Sequence, residues 1–170
     1  MASSKLFANY TTPEEIASAP IRKIERLIKA AGFFRAKARH IRETSSILIE
    51  RHGGGVPSTM EELLSLPGVG RKTANCVLAY GFNISAFPVD VHVHRISNRL
   101  GLVSTRSPIE TEEALKRIFP EETWSEMSLL MIGFGRDLCR PRMPKCSECG
   151  LNAICEYAHR EVPHDLSCGT

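Results

Sequence analysis

Leu66-Pro67-Gly68-Val69-Gly70-Arg71-Lys72-Thr73-Ala74 is the stretch from which the fold of this chain is read. Its first five residues separate two helical stretches, Met60 to Ser65 and Arg71 to Tyr80, and the glycines permit positive φ and leave backbone N–H groups uncovered. With the positive end of the following helix, such a turn offers hydrogen bonds to one phosphate. The same five residues also suit an ordinary helix-helix turn. Arg71 and Lys72 sharpen the choice, because they open the second helix, where a cation opposes the macrodipole and an acid is the better residue. The misplaced charge reads as a phosphate contact or as a nucleophilic amine.

A nucleophilic amine needs a partner that moves protons, and Asp90 is within reach along the chain. A helix from Arg71 to Tyr80 climbs about 15 Å. An extended stretch from Ile84 to Val89 descends about 20 Å. Asp90 equally suits the N-cap of a helix from Val91 to Leu100, and one carboxylate can serve both roles.

Helix-start signals recur elsewhere. Thr12 with Glu15, Ser58 with Glu61 and Ser107 with Glu110 have the spacing of capping boxes, and Pro13 and Pro108 follow two of the caps. Ile21, Ile24, Leu27 and Ile28 repeat at helical spacing, and a longer helix carrying Ile41, Ile47 and Leu48 stops before Gly53-Gly54-Gly55, read as a loop within one lobe. Further helices are expected near 59–65, 71–80, 90–100, 108–118 and 123–132. No convincing alternating strand is visible, so the class is all-α. Phe33, Phe34 and Trp124 are expected in the core.

The 170 residues, 42% hydrophobic and 24% charged, suffice for one ordinary core or two small lobes. No apolar run is long enough to span a bilayer and the start lacks a secretory stretch, so an intracellular protein without membrane contact is expected, cytoplasmic and nucleoid-associated if prokaryotic. The net charge of +3 is unevenly spread: eight Lys or Arg lie between Pro20 and Arg42 against Glu25 alone, and six Glu lie between Ser107 and Glu126 against Lys116 and Arg117. A basic face suits a polyanion, although two solvated helix faces explain the pattern as well.

Four of the six cysteines crowd between Cys139 and Cys155, which in an intracellular protein argues for metal rather than disulfides. Taken alone the four fit zinc or iron-sulfur equally. Arg140, Arg142 and Lys145 lie between the first two, in a loop stiffened by Pro141 and Pro144. Cys76, four residues after Lys72, is expected in the core, and Cys168 as a free thiol. His92 and His94 are assigned to packing or phosphate contact.

The run LPGVGRKTA, the Asp of PVDVHVHRISNRLG eighteen residues after Lys72, and Cys139-x6-Cys146-x2-Cys149-x5-Cys155 together resemble the endonuclease III family of helix-hairpin-helix DNA glycosylases, from about Leu6 to Tyr157. The resemblance implies a helical barrel lobe over 12–133, containing the hairpin (59–80) and the aspartate loop (81–100), a cluster segment over 134–160 and a tail over 161–170. It implies Lys72 as Schiff-base lysine, Asp90 as catalytic aspartate, and a four-iron, four-sulfur cluster on Cys139, Cys146, Cys149 and Cys155. Leu66, Gly68, Val69, Gly70, Arg71, Arg140, Arg142 and Lys145 are its implied DNA contacts. The activity implied is a monomeric base-excision glycosylase and abasic-site lyase acting on oxidised pyrimidines in duplex DNA. Relatives that only remove the base have another residue in place of the lysine, so Lys72 favours the bifunctional reading over a mismatch-specific one. Family members begin earlier, by roughly two helices or about 40 residues. A start inside the family pattern is therefore expected to expose apolar helix faces, and a non-catalytic DNA-binding module or a zinc-stabilised structural protein are the competing readings.

Overall fold

The computed structural model describes residues 2–160, and among these the chain is helix and loop without a strand. Met1, the tail 161–170 and, with it, Cys168 lie outside the described residues. None of the described helices is long and apolar enough to cross a membrane. By packing, the chain divides into two compact units that meet in sequence between Ala74 and Asn75.

The first unit is built on one long helix. Helices α1 (Ala2–Phe7), α2 (Pro13–Ser18) and α3 (Ile21–Leu27) precede α4 (Phe34–His52), followed by α5 (Met60–Ser65) and α6 (Arg71–Cys76), which leads into the second unit. Leu6, Tyr10, Ile16, Ala19, Ile24, Ile28 and Ala38 are buried together, with Phe34 and Ile41 against them. Thr12 caps α2 as expected: its side chain accepts from the Glu15 N–H, while Glu15 accepts from the Thr11 and Thr12 N–H groups at 2.6 and 3.3 Å. Those two backbone donors, Thr11 first, hold the Glu15 carboxyl below the ordinary carboxylate range. The stabilisation is full at neutral pH and lost as pH falls through that lowered range. The next cap falls one residue later than the Ser58 spacing predicts. Thr59, in extended backbone, accepts from the Glu62 N–H and donates to the Glu62 carboxylate at 2.6 Å. Gly53 closes α4 in the left-handed region.

Phe33 departs from the core role expected of it. It is 89% exposed and sits at φ 55, ψ 34 as the residue that opens α4. The hydrophobic count marked three aromatics as core; only the backbone turn separates Phe33 from Phe34, which packs inward.

In the second unit α6 ends at Cys76 and a π-helical turn, Val77–Gly81, replaces the single helix expected to Tyr80. Then come α7 (Val91–Leu100), α8 (Pro108–Ile118), α9 (Trp124–Asp137) and α10 (Glu156–Arg160). Helix α9 runs five residues past the predicted end, through Gly133 and Gly135. Gly135 permits the close crossing of α7, since a Cβ there would meet His92 Nδ1 and Ile96 Cδ1 at 2.8 Å. Phe87, Val89, Val93, Ile96, Leu115 and Met131 form the core, and Trp124 packs against it with its indole N–H on the Phe119 carbonyl. Cys76 is half-buried and unpaired in any disulfide. Glu112, counted by the charge pattern as part of an acidic face, is buried, paired with Lys116 at 2.7 Å and accepting from Asn75 at 2.9 Å.

Candidate functional site

The hairpin lies at the end of the first unit. Leu66 caps α5 and is buried, and the Val69 N–H closes the turn on the Leu66 carbonyl at 3.1 Å. Gly68 adopts φ +75, a conformation that costs any residue with a Cβ, and both Gly68 and Gly70 are exposed. Arg71 and Lys72 are the first two residues of α6; Arg71 is half-buried and Lys72 exposed. All eight basic residues between Pro20 and Arg42 are exposed on this unit.

The first unit also holds an open apolar cavity of about 880 Å³, lined by Leu6, Phe7, Ile16, Ile41, Leu48 and Val56, and reaching Val69 of the hairpin. Phe7 and Val56 are the most exposed of these, at 61% and 50%.

Asp90 belongs to the second unit. The stretch Ala86–Val89 is buried, Phe87 packs between the rings of Phe119 and Trp124, and Ser128 on α9 donates to the Pro88 carbonyl at 2.6 Å. This anchored segment delivers Asp90 to the N-cap of α7, where Oδ1 accepts from the His92 and Val93 N–H groups at 2.8 and 3.0 Å. Both capping bonds use one oxygen. Oδ2 takes no hydrogen bond among the described residues, and the side chain is half-buried. His94 is a packing residue, 2.6 Å from Thr111 Oγ1, and His92 packs beside Arg95.

The four clustered cysteines line one cavity, with Leu100, Phe134, Pro144 and Tyr157 among its other walls, and all four are half-buried free thiols. Burial pushes the Cys146 thiol up, and the nearby Cys139, Cys155 and Cys149 push it further, against the Arg99 guanidinium. Among the described residues no three His, Cys, Asp or Glu side chains converge on a single-ion site. Four soft thiol ligands lining one space are a donor set that suits an iron-sulfur group or zinc.

Two arginines of α7, which sequence reasoning passed over, hold this segment. Arg99 donates through Nη1 to the Arg140 carbonyl at 2.7 Å and to Cys139 Sγ at 3.5 Å, and through Nη2 to the Pro141 carbonyl at 3.0 Å. Its guanidinium also lies 4.2 Å from the Tyr157 ring centroid. Arg95 donates to the Gly135 and Cys139 carbonyls at 3.1 and 2.7 Å. The only trace in the sequence is their spacing of four, which puts both on one face of a helix. Of the implied DNA contacts in this segment, Arg140 and Arg142 are exposed, whereas Lys145 is half-buried and paired with Glu148 at 3.1 Å.

An all-α chain with a glycine hairpin, a capping aspartate and a four-cysteine cavity matches one protein class. The model of the HhH-GPD superfamily of base excision DNA repair proteins matches residues 1–121. Endonuclease III of Thermotoga maritima is 55% identical over 159 residues, 94% of this chain and 75% of that protein. Endonuclease III of Bacillus subtilis is 42% identical, over 91% of this chain and 71% of that protein. Among solved structures, an endonuclease III trapped as a covalent intermediate with DNA is similar at a TM-score of 0.89 and 39% identity, covering 94% of this chain and 75% of that one. A thermostable thymine-DNA glycosylase is similar at 0.81 and 29% identity, with the same coverage. The chain belongs to the HhH-GPD superfamily and, within it, to the endonuclease III family.

Proposed function

We propose that this chain is a base-excision DNA glycosylase with abasic-site lyase activity, acting on oxidised pyrimidines in duplex DNA through Lys72. The observation that carries the reading is an exposed lysine at the second position of α6, directly after the hairpin, in a chain of this family. Backbone N–H groups of the hairpin, with Leu66, Gly68, Val69, Gly70 and Arg71, hold the DNA backbone while the damaged nucleotide is turned out of the stack. Lys72 Nζ bonds C1′ as the bond from C1′ to the base breaks. Loss of an amine proton and ring opening leave a Schiff base, and removal of a C2′ proton then expels the 3′ phosphate oxygen. Asp90, with an Oδ2 free of capping duty, matches the family's catalytic aspartate, the group that takes up a proton in this reaction and stabilises positive charge developing on the sugar.

Residues 12–133, which span the division between the two units, carry this chemistry, and the segment 134–160 holds a four-iron, four-sulfur cluster on Cys139, Cys146, Cys149 and Cys155. The cluster's role is structural: it fixes the loop that presents Arg140 and Arg142 to phosphate, with Lys145 held on Glu148 beside them. Arg99 supports it. Arg99→Ala is expected to leave less than about half the iron per chain of the unsubstituted protein, and Arg99→Lys not to rescue it, because a lysine cannot reproduce the fork that spans two carbonyls and a thiol. Iron and sulfide analysis of the purified proteins checks this.

Phe33 completes the DNA surface. An aromatic held exposed in left-handed backbone is strained, and such strain is stored where a side chain acts. Gly68 and His40 are in contact distance, and Phe33 directly precedes α4, about 10 Å before His40 along the chain. From there it suits an apolar wedge entered between bases when the duplex is opened. Phe33→Ala is expected to weaken binding to an abasic-site duplex about tenfold. Phe33→Gly should do the same yet stabilise the fold by about 0.5–1 kcal/mol by releasing the backbone. Parallel binding isotherms and urea melts separate the two effects.

The direct test is incubation with duplex containing one thymine glycol or one abasic site. Base release, strand cleavage and a borohydride-trapped protein-DNA adduct are expected. Tight duplex binding with none of the three outcomes identifies a non-catalytic binding module instead.

A further inference from the structure

We propose that Thr44 and His40, one turn apart on α4, are positioning residues that set the hairpin for DNA, an inference that rests on the hairpin being the phosphate-binding element. Thr44 Oγ1 donates to the Pro67 carbonyl at 3.1 Å, and the contact is partly buried. The peptide joining Pro67 to Gly68 is planar and trans, so its C=O and N–H point in opposite directions. Fixing the Pro67 oxygen toward α4 therefore turns the Gly68 N–H away from α4. Thr44 thus aims a donor of the hairpin that it does not itself touch.

His40 acts at the Gly68 Cα, the atom after that N–H. Its imidazole occupies the place a side chain on Gly68 would take: an added Cβ would meet Nδ1 at 2.6 Å, Cγ at 3.0 Å and the His40 Cβ at 3.1 Å. The ring covers Gly68 on the α4 side and leaves the residue exposed on its other side. With φ at +75, Gly68 is the most deformable position of the turn. One hydrogen bond and one ring together remove that freedom before DNA arrives. Binding then costs less ordering of the loop, which raises affinity without touching the chemical step.

Thr44→Val keeps the volume and removes the donor. In the DNA-free protein, hydrogen exchange at the Val69 amide, which closes the turn on the Leu66 carbonyl, should accelerate about 3- to 10-fold, the worth of one neutral hydrogen bond, with the amides of central α4 unchanged. Affinity for an abasic-site duplex should fall by a similar factor, while the single-turnover cleavage rate at saturating DNA stays within about twofold. Thr44→Ser should restore both. For His40, the loss caused by Gly68→Ala should be smaller in a His40→Ala background, and strictly additive losses overturn its part.

Unchanged exchange in Thr44→Val overturns the brace. Faster exchange with unchanged affinity overturns its link to DNA, and a slower cleavage step at saturation overturns the assignment as a positioning residue. Should the unsubstituted protein neither bind nor cleave the duplex, the proposed function fails on its own. The exchange measurement then still decides whether Thr44 holds the turn.

Discussion

Lys72→Ala is expected to abolish the borohydride-trapped adduct and slow strand cleavage at an abasic site by at least about 10³-fold, some 4 kcal/mol of barrier, without weakening the fold. The second half of that expectation makes the first interpretable. Lys72 is exposed at the second position of α6, so truncation removes no core contact. A cation in the first turn of a helix opposes the macrodipole, and alanine is the best helix former. Urea denaturation should therefore give a stability equal to that of the unsubstituted protein, or higher by a few tenths of a kcal/mol. Duplex affinity should fall by less than about tenfold, because the hairpin donors and Arg71 remain. A stable, DNA-binding Lys72→Ala protein that still forms the covalent adduct would sink the assignment of the nucleophile.

Asp90 offers a sharper separation because two roles fall on two oxygens. Oδ1 caps α7 through His92 and Val93, and Oδ2 is left for chemistry. Asparagine is as good an N-cap as aspartate, so Asp90→Asn should keep stability within about 0.5 kcal/mol. It replaces the free carboxylate oxygen with an amide that cannot take a proton, and base release should fall about 10²- to 10⁴-fold. Asp90→Ala loses both functions and should additionally cost about 1 kcal/mol in urea melts. If Asp90→Asn destabilises as much as Asp90→Ala while retaining base release, the carboxylate is a cap and nothing more.

The capping role of Asp90 was legible from sequence because an acid before an apolar-periodic run is a local signal, and capping is a local interaction. The same holds for Thr12, whose box formed with the residue three positions on. Where two hydroxyl residues stood side by side, as Ser58 and Thr59 do, spacing could not choose between them. The backbone chose Thr59. Phe33 was misjudged for a related reason. Composition says that an aromatic prefers burial, but it does not say which of two adjacent aromatics the chain turns inward.

The hairpin, the lysine after it, the aspartate eighteen residues on and the four cysteines could all be read along the chain, because each is a motif whose meaning lies in residue type and short spacing. The membership of the chain in its family follows from those. Tertiary structure alone decided what supports them. Thr44 meets Pro67 across 23 positions, Ser128 meets Pro88 across 40, and Arg99 meets Pro141 across 42. Such contacts are set by helix crossings, and a crossing depends on the summed packing of whole faces, which no local pattern of polar residues encodes. For the same reason Glu112, one acid among six in the sequence, became a buried partner of Asn75 and Lys116 only once α8 had found its place.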